Sequence, residues 1–286
     1  MKYFVMILAV SVALGLAEIW RELHRFKVTE YVIESQKLSG YKDKKLVFLS
    51  DMHNHMYGKE NQKLIHKIKE IAPELILIGG DMLIGKRTSF YGPALKTVKA
   101  LAKIAPVYYV NGNHEQRMKE CPDVYNLYLY KEYRKELKGE GVHFLENESA
   151  VEGELRITGL EIPLKCYLHC RRGVLEPGEI AKRIGESDSE KFQILMAHHP
   201  SYMEEYKKWG ADLILSGHYH GGIVRIPGFT GVITPAFEIF PKYSGDFYRE
   251  GDTNIVVSKG LGTHTVNVRF LNPAELIVLH LRGENS

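Results

Sequence analysis

Residues 45–53 read Lys-Leu-Val-Phe-Leu-Ser-Asp-Met-His, an apolar run that ends in an aspartate and a histidine. The run has the length of one buried strand, so these polar side chains are expected at its carboxyl end. Four later apolar runs also end in polar motifs, which are Gly80-Asp81, Gly112-Asn113-His114-Glu115, Ala197-His198-His199-Pro200 and Gly217-His218-Tyr219-His220. Open α/β sheets place their sites at the carboxyl ends of strands, so the five stretches predict one shared site.

The order of the remaining segments indicates an α/β fold. Helical spacing of apolar residues, or an opening proline, predicts helices at 59–71, 93–104, 124–137, 179–184 and 202–209. Apolar or alternating runs predict strands at 29–38, 45–50, 75–78, 107–110, 155–158, 192–197, 213–216, 254–258, 265–270 and 275–281, the first of them at a sheet edge. Strands and helices alternate in the first half, and strands dominate the second. This order predicts two sheets packed face to face with helices outside.

The composition is that of a globular protein. The chain has 286 residues and a formal net charge of +3, which is too small to indicate a nucleic-acid partner. Its three cysteines are an odd number and do not form a disulfide framework. We interpret Cys166 and Cys170 as ordinary loop residues.

The amino-terminal segment differs from the rest of the chain. Residues 3–17 are almost entirely apolar, and Glu18, Trp20 and Arg21 follow them. A membrane span needs about 20 residues, and the run approaches this length when it is extended to Trp20. We therefore favour an uncleaved anchor over a cleaved signal peptide or a buried helix. We therefore divide the chain into an anchor or signal segment at 1–24 and a catalytic domain at 25–286. We expect a single-pass protein with its domain outside the cytoplasm, although basic residues on both sides of the run do not fix the orientation.

The ligand types at the strand ends favour particular metals. Oxygen and imidazole donors without thiolates suit manganese, iron or zinc. Asp51 and His53 are one residue apart, and alternate side chains of a strand share a face, so we expect both to reach one ion. His218 and His220 repeat this spacing.

Phosphodiester hydrolysis gives a reason for two ions. Two cations about 3.5–4 Å apart neutralise the phosphate, hold it in line and lower the pKa of a bridging water. Asp81 is the natural bridging carboxylate, and Asn113 supplies a neutral oxygen. His114 would stand beside the ions and either stabilise the transition state or protonate the leaving oxygen, oriented by Glu115 directly or through the backbone. We interpret His199 as structural, because adjacent side chains rarely reach one ion.

Together the five motifs resemble those of the calcineurin-like metallophosphoesterase family in both order and spacing. The resemblance implies a four-layer α/β/β/α sandwich with two mixed β-sheets, here preceded by a hydrophobic helix. It also implies a bridging hydroxide that attacks phosphorus, with His114 as the catalytic imidazole. One ion would be held by Asp51, His53, Asp81 and His220, and the other by Asp81, Asn113, His198 and His218. Members with an iron(III)-tyrosinate site carry a tyrosine where this chain has Ile84, so we expect two divalent ions of manganese, zinc or iron.

Two later segments resemble a membrane-associated bacterial branch of that family. They are residues 221–225 and residues 259–263, the latter followed by Arg269. The branch implies a phosphodiesterase that acts on small phosphoesters, phospholipids or lipid-linked nucleotides, with membrane contact through the amino-terminal segment and no nucleic-acid partner. The alternatives are a phosphomonoesterase or nuclease on the same metal site, or a non-catalytic membrane-tethered binding protein.

Overall fold

The computed structural model describes residues 1–88, 90–168, 173–226, 230–235, 237–263 and 266–284. Its helices are α1 Lys2–His24, α2 Gln62–Ile71, α3 Gly92–Ala102, α4 Asn113–Glu120, α5 Leu127–Gly139, α6 Glu179–Ile184 and α7 Met203–Trp209. Its strands are β1 Phe26–Ser35, β2 Lys44–Leu49, β3 Leu75–Ile78, β4 Val107–Tyr109, β5 His143–Phe144, β6 Ser149–Glu152, β7 Leu155–Leu160, β8 Phe192–Ala197, β9 Leu213–Ser216, β10 Val224–Arg225, β11 Gly231–Ile233, β12 Asp246–Glu250, β13 Thr253–Val257 and β14 Ala274–Gly283.

Two mixed sheets of six strands each form the centre of the fold. The first has the order β1-β14-β2-β3-β4-β5, and the second has the order β12-β13-β9-β8-β7-β6. Strands β2 to β5 run parallel to one another, as do β7, β8, β9 and β13. The parallel strands of each sheet therefore bring their carboxyl ends to one edge.

Apolar side chains divide the molecule into four layers. Phe48 and Leu77 of the first sheet belong to the same buried cluster as Met196 and Leu215 of the second, so the two sheets pack face to face. A second cluster joins the outer face of the first sheet to α2, α3 and α5. A third joins the outer face of the second sheet to α6 and α7. The fold is the predicted four-layer α/β/β/α sandwich.

Most of the predicted elements are confirmed. Strands β3, β8 and β9 and helix α6 have the predicted bounds, and β1 lies at a sheet edge. The strand predicted at 265–270 is wrong within the described residues, because only Phe270 forms an isolated bridge, to Val224. The reason is Arg269, which is buried and donates to the carbonyls of Lys259 and Gly262. Thr265 and Cys170 lie outside the described residues. Cys166 is a buried free thiol.

Helix α1 is long and apolar enough to cross a membrane. Its most apolar window has a mean hydropathy of 2.0, and none of that window is buried. The helix contacts the domain through one stripe, which consists of Gly15, Glu18, Ile19, Glu22 and Leu23. This spacing of three and four residues places the contacts on one helical face and leaves the rest of the apolar surface exposed.

Packing between the two sheets is expected to be the main source of stability. Leu77 is fully buried between them, so Leu77→Ala should lower the free energy of unfolding by about 2–5 kcal/mol through lost apolar burial and a residual cavity. Urea denaturation of the full chain in mild detergent measures this change. Val151, which is 58% exposed on β6, is the control, and Val151→Ala should stay within about 0.5 kcal/mol. Equal effects of the two substitutions would contradict this packing.

Candidate metal centre

The five polar motifs follow β2, β3, β4, β8 and β9 and meet at the carboxyl edge that the two sheets share. Neighbouring strands in each sheet carry consecutive motifs, so the loops after β2, β3 and β4 face the loops after β8 and β9. Most of the side chains they bring together are buried, and they include Asp51, His53, Asp81, Asn113, His114, His198 and His220. His218 joins them with a partly exposed side chain.

Left-handed backbone turns aim many of these side chains. The φ angles are 53° at Asp51, 47° at His53, 53° at Asp81, 71° at His218 and 52° at His220. Strand alternation was therefore the wrong reason for their convergence, because β2 ends at Leu49 and β9 at Ser216 before the motifs begin. Non-glycine residues rarely adopt positive φ, and such backbone costs about 1–3 kcal/mol per residue. Strain concentrated in this way is typical of functional sites.

Two close approaches explain the glycines beside the carboxylates. A Cβ atom on Gly112 would lie 2.2 Å from Oδ1 of Asp81, and one on Gly217 would lie 2.2 Å from Oδ2 of Asp51. Both separations are far below van der Waals contact, so any side chain at these positions would displace a carboxylate.

Asp81 lies between two groups of potential ligands. Its Oδ2 is 3.7 Å from Nε2 of His53 and 3.3 Å from Nε2 of His198. Asp51, His53 and His220 offer ligand atoms that all lie within 4.8 Å of one another, and Asp81, His198 and His218 form a second such group. This geometry allows one Asp81 oxygen to contact ions in both groups.

The backbone fixes the proton positions of two histidines. Nδ1 of His198 lies 2.7 Å from the carbonyl oxygen of Gly79, and Nδ1 of His220 lies 2.9 Å from that of Gly262. A carbonyl oxygen can only accept, so each Nδ1 carries the proton in the neutral ring. The lone pair of each Nε2 then faces the carboxylates, as in metal-binding imidazoles whose other nitrogen donates to the protein.

The amide of Asn113 also lies at the second group. One of its two terminal atoms is 2.9 Å from Nδ1 of His218 and 3.3 Å from Oδ2 of Asp81. With its nitrogen on this side, the amide donates to both atoms and its oxygen accepts from Arg117, whereas with its oxygen on this side it offers a third acceptor to a cation. Amide orientation and cation binding are therefore coupled.

Charges in the site favour a cation in the same place. Burial raises the pKa of Asp51 to about 6. Burial would also raise the pKa of Asp81, but the nearby imidazoles of His114 and His198 hold it well below its usual value. Burial lowers the pKa of His198, yet the charges of Asp81 and Asp51 outweigh this effect and raise it to about 9. The carboxylates thus attract positive charge to Nε2 of His198, and the donor set fits divalent ions.

His114 has the opposite proton arrangement. The N–H of Gly85 donates to Nδ1 of His114 at 2.9 Å, so the neutral ring carries its proton on Nε2. Nε2 lies 3.9 Å from Oδ2 of Asp81. The ring therefore presents a proton to the site, where His198 and His220 present lone pairs. The geometry brings His114 beside the ligand groups with the proton position of a donor.

Glu115 acts through the backbone, which is one of the two routes predicted from the sequence. Its carboxylate accepts from the N–H groups of Asp81 at 2.8 Å, Met82 at 2.9 Å and Gly112 at 3.1 Å. It also accepts from the hydroxyl of Tyr109 at 2.8 Å. Glu115 thus fixes the turn that carries Asp81 relative to the helix that carries His114.

Two features of the site were not predicted from the sequence. One is helix α4, which begins at Asn113, where the side chain of Glu115 accepts from the backbone N–H of the N-cap residue Gly112. A glycine followed three residues later by a glutamate was the available signal. The other is Tyr167, which is far in sequence from any of the motifs. Its ring centroid is nevertheless 5.3 Å from that of His218 and 5.1 Å from that of His199. No local pattern indicates this contact, because it depends on how a loop folds over the second sheet.

Residues 44–222 match the family described as calcineurin-like phosphoesterase. The chain belongs to that family. It is a metal-dependent phosphoesterase, a hydrolase of ester bonds, and its family uses two metal ions.

Several relatives are similar over most of their length. An uncharacterized metallophosphoesterase of Aquifex aeolicus is 27% identical over 272 residues, which cover 93% of this chain and 95% of the relative. One of Helicobacter pylori is 30% identical over 273 residues, which cover 92% of this chain and 66% of the relative. The phosphodiesterase YaeI of Escherichia coli is 25% identical over 233 residues, which cover 79% of this chain and 80% of YaeI.

The shared position of Asp81 predicts a specific loss of metal. Asp81→Asn removes the negative charge that lies between the two ligand groups. A dinuclear site should hold about two ions per chain, and the variant should hold far less manganese or zinc than this. Elemental analysis of purified protein measures the content. Asp123→Asn, at an exposed loop position, is the matched control and should retain the parent content. Full occupancy in Asp81→Asn would contradict a bridging role.

Proposed function

We propose that this protein is a membrane-tethered phosphodiesterase with two divalent ions. The observation that carries the proposal is the placement of Asp81 Oδ2 between the two ligand groups. When bound, the ions would neutralise the phosphate and supply a water of lowered pKa. The first ion would be held by Asp51, His53, Asp81 and His220. The second would be held by Asp81, Asn113, His198 and His218.

The protein groups would divide the remaining tasks. Gly79 and Gly262 hold the imidazoles of His198 and His220 with their lone pairs towards the ions. The N–H of Gly85 holds the proton of His114 at Nε2, where it would donate a hydrogen bond to the departing oxygen of the ester. Loss of the proton from Nε2 leaves an imidazolate unless Nδ1 gains one, so His114 would act as a strong hydrogen-bond donor that shares its proton in the transition state.

A diester preference is part of the proposal. One relative carries the name phosphodiesterase, and an alkoxide leaving group gains most from the hydrogen bond that His114 would donate. The net charge of +3 is too small to favour a nucleic-acid substrate. Small diesters and lipid headgroups are therefore the proposed substrates, including phospholipids and lipid-linked nucleotides.

The tether is also proposed from α1. Tyr3 and Trp20 lie near its two ends, and 17 residues of helix span about 26 Å, close to the hydrocarbon thickness of a bilayer. Aromatic residues at such positions are typical of membrane interfaces. We place the domain on the extracytoplasmic side, directly at the bilayer surface.

Loss of His114 should affect esters according to their leaving groups. In His114→Ala, kcat should fall by about 10²–10⁴ for a diester with an alkoxide leaving group and much less for one that releases 4-nitrophenolate. A stable phenolate needs little protonation. Steady-state kinetics with both substrates test this, together with metal analysis to show that the ions remain.

His66→Ala is the control, because the side chain of His66 is 76% exposed on α2. It should leave both rates unchanged. An equal fall for the two leaving groups in His114→Ala would reject the proton-donor role.

The substrate class has its own test. With manganese bound, the purified protein should hydrolyse bis(4-nitrophenyl) phosphate with a higher kcat/KM than 4-nitrophenyl phosphate, because the monoester lacks a second ester group for the site to accommodate. Both release the same chromophore, so one absorbance assay compares them. A much faster monoester reaction would overturn the diester preference. Absence of hydrolysis of either would remove the catalytic proposal.

A further inference from the structure

Four short segments lie side by side next to the metal centre and form what we call the apolar ribbon. They are residues 268–271, 223–226, 231–234 and 237–240. The N–H of Arg225 donates to the carbonyl of Phe270 at 3.1 Å, and the N–H of Ile223 donates to that of Ile233 at 2.7 Å. The N–H of Phe240 completes the series by donating to the carbonyl of Val232 at 3.0 Å. The segments thus behave as one hydrogen-bonded surface.

The ribbon exposes large apolar side chains. Those that are at least 40% exposed are Ile226, Phe237, Ile239, Phe240 and Leu271. Phe237 and Phe240 have φ angles of 61° and 47°, which are unfavourable for aromatic residues. Both phenyl rings are exposed, so neither packing nor solvation offsets this backbone strain in the isolated domain. The strain therefore indicates a binding surface.

Helix α1 determines where this surface lies. A methyl group on Gly15 would be 4.0 Å from Cε2 of Phe270, so the first ribbon segment contacts α1 inside its apolar run. Gly15 precedes Trp20 by five residues, which is about 7.5 Å along the helix. The headgroup layer on each side of a bilayer is about 5–7 Å thick. If Trp20 lies at the interface, Phe270 therefore reaches the edge of the hydrocarbon.

The rest of the ribbon extends sideways from this contact. Strands lie about 4.8 Å apart, so the segment of Phe240 lies about 14 Å from that of Phe270. A surface of this width extends well beyond the part of the ribbon that contacts α1. It also lies beside α1, whose apolar face is itself exposed, so the two apolar surfaces are continuous.

The ribbon is joined to the metal centre. Glu238, between Phe237 and Ile239, accepts from the hydroxyl of Tyr219 at 2.6 Å, and Tyr219 separates the proposed ligands His218 and His220. Asn272, next to Leu271, donates to the carbonyl of His220 at 2.7 Å. The side of the site that carries His220 therefore lies against the ribbon.

We infer that the apolar ribbon inserts into the lipid interface beside α1 and presents the metal centre to phosphoester headgroups of bilayer lipids. The inference rests on the proposed function, since it names the substrates of that site. A lipid bilayer is the occupant because the ribbon adjoins an exposed membrane-length helix. Apolar and aromatic side chains of this kind are those that bind the headgroup boundary.

The test uses the full chain in lipid nanodiscs and the double substitution Phe237→Ser with Phe240→Ser. Turnover of a phospholipid diester in the disc should fall by about 10-fold or more, because the ribbon no longer holds the site at the surface. Turnover of soluble bis(4-nitrophenyl) phosphate should stay within about 2-fold, which also shows that the fold and metal centre are intact. Val151→Ser, on an exposed apolar residue far from the ribbon, is the matched control and should leave both rates unchanged.

A direct readout uses Phe240→Trp. Brominated lipids should quench the added fluorescence beyond the quenching of the parent protein, which already contains Trp20 and Trp209. No added quenching, or unchanged lipid turnover in the double variant, would overturn the inference. Cross-linking of two copies through position 240 would overturn it in favour of a dimer surface. A parent protein that hydrolyses the soluble diester but no lipid would also overturn it and leave the proposed function standing, whereas one that hydrolyses neither refutes the proposed function itself.

Discussion

The carboxylate of Asp81 is the group on which the architecture of the site depends. The N–H of His114 donates to its Oδ1 at 2.8 Å, and Glu115 accepts from its backbone N–H. These contacts turn Oδ2 towards both ligand groups. Gly112 leaves the space that this carboxylate needs. A buried carboxylate without nearby positive charge is costly, and the imidazoles of His114 and His198 supply that charge, which holds the pKa of Asp81 well below its usual value.

Backbone groups decide which nitrogen of each imidazole carries the proton in the neutral ring. Carbonyl oxygens hold the protons of His198 and His220 away from the centre, whereas an N–H group holds the proton of His114 towards it. The difference does not depend on residue type, since all three are histidines in buried positions. The same ring therefore presents a lone pair to the site at two positions and a proton at the third, according to which backbone group contacts its Nδ1. Arg269 contributes indirectly, because it donates to the carbonyl of Gly262, which also contacts His220.

The sequence was a good guide to the layers and a partial guide to the site. Mainly apolar runs such as residues 75–78 and 192–197 predicted strands with the observed bounds, since strands buried on both faces have nearly continuous apolar sequence. The convergence of the motifs was also predicted, but from strand alternation, whereas the structure achieves it by left-handed turns at Asp51 and Asp81. Contacts between segments distant in sequence could not be predicted from local sequence patterns. The ring of Tyr167 against His218, the carbonyls that fix the imidazole protons and the ribbon beside α1 all join segments distant in sequence.

The central proposal is that two ions would share the carboxylate of Asp81, and electron paramagnetic resonance of the manganese-loaded protein tests it most directly. Two Mn²⁺ ions that share a carboxylate and a bridging water lie about 3.5–4 Å apart and are magnetically coupled. We predict the multiline spectrum of a coupled pair in the parent protein and its loss in Asp81→Asn. Spectra of independent single ions in the fully loaded parent protein would contradict the claim.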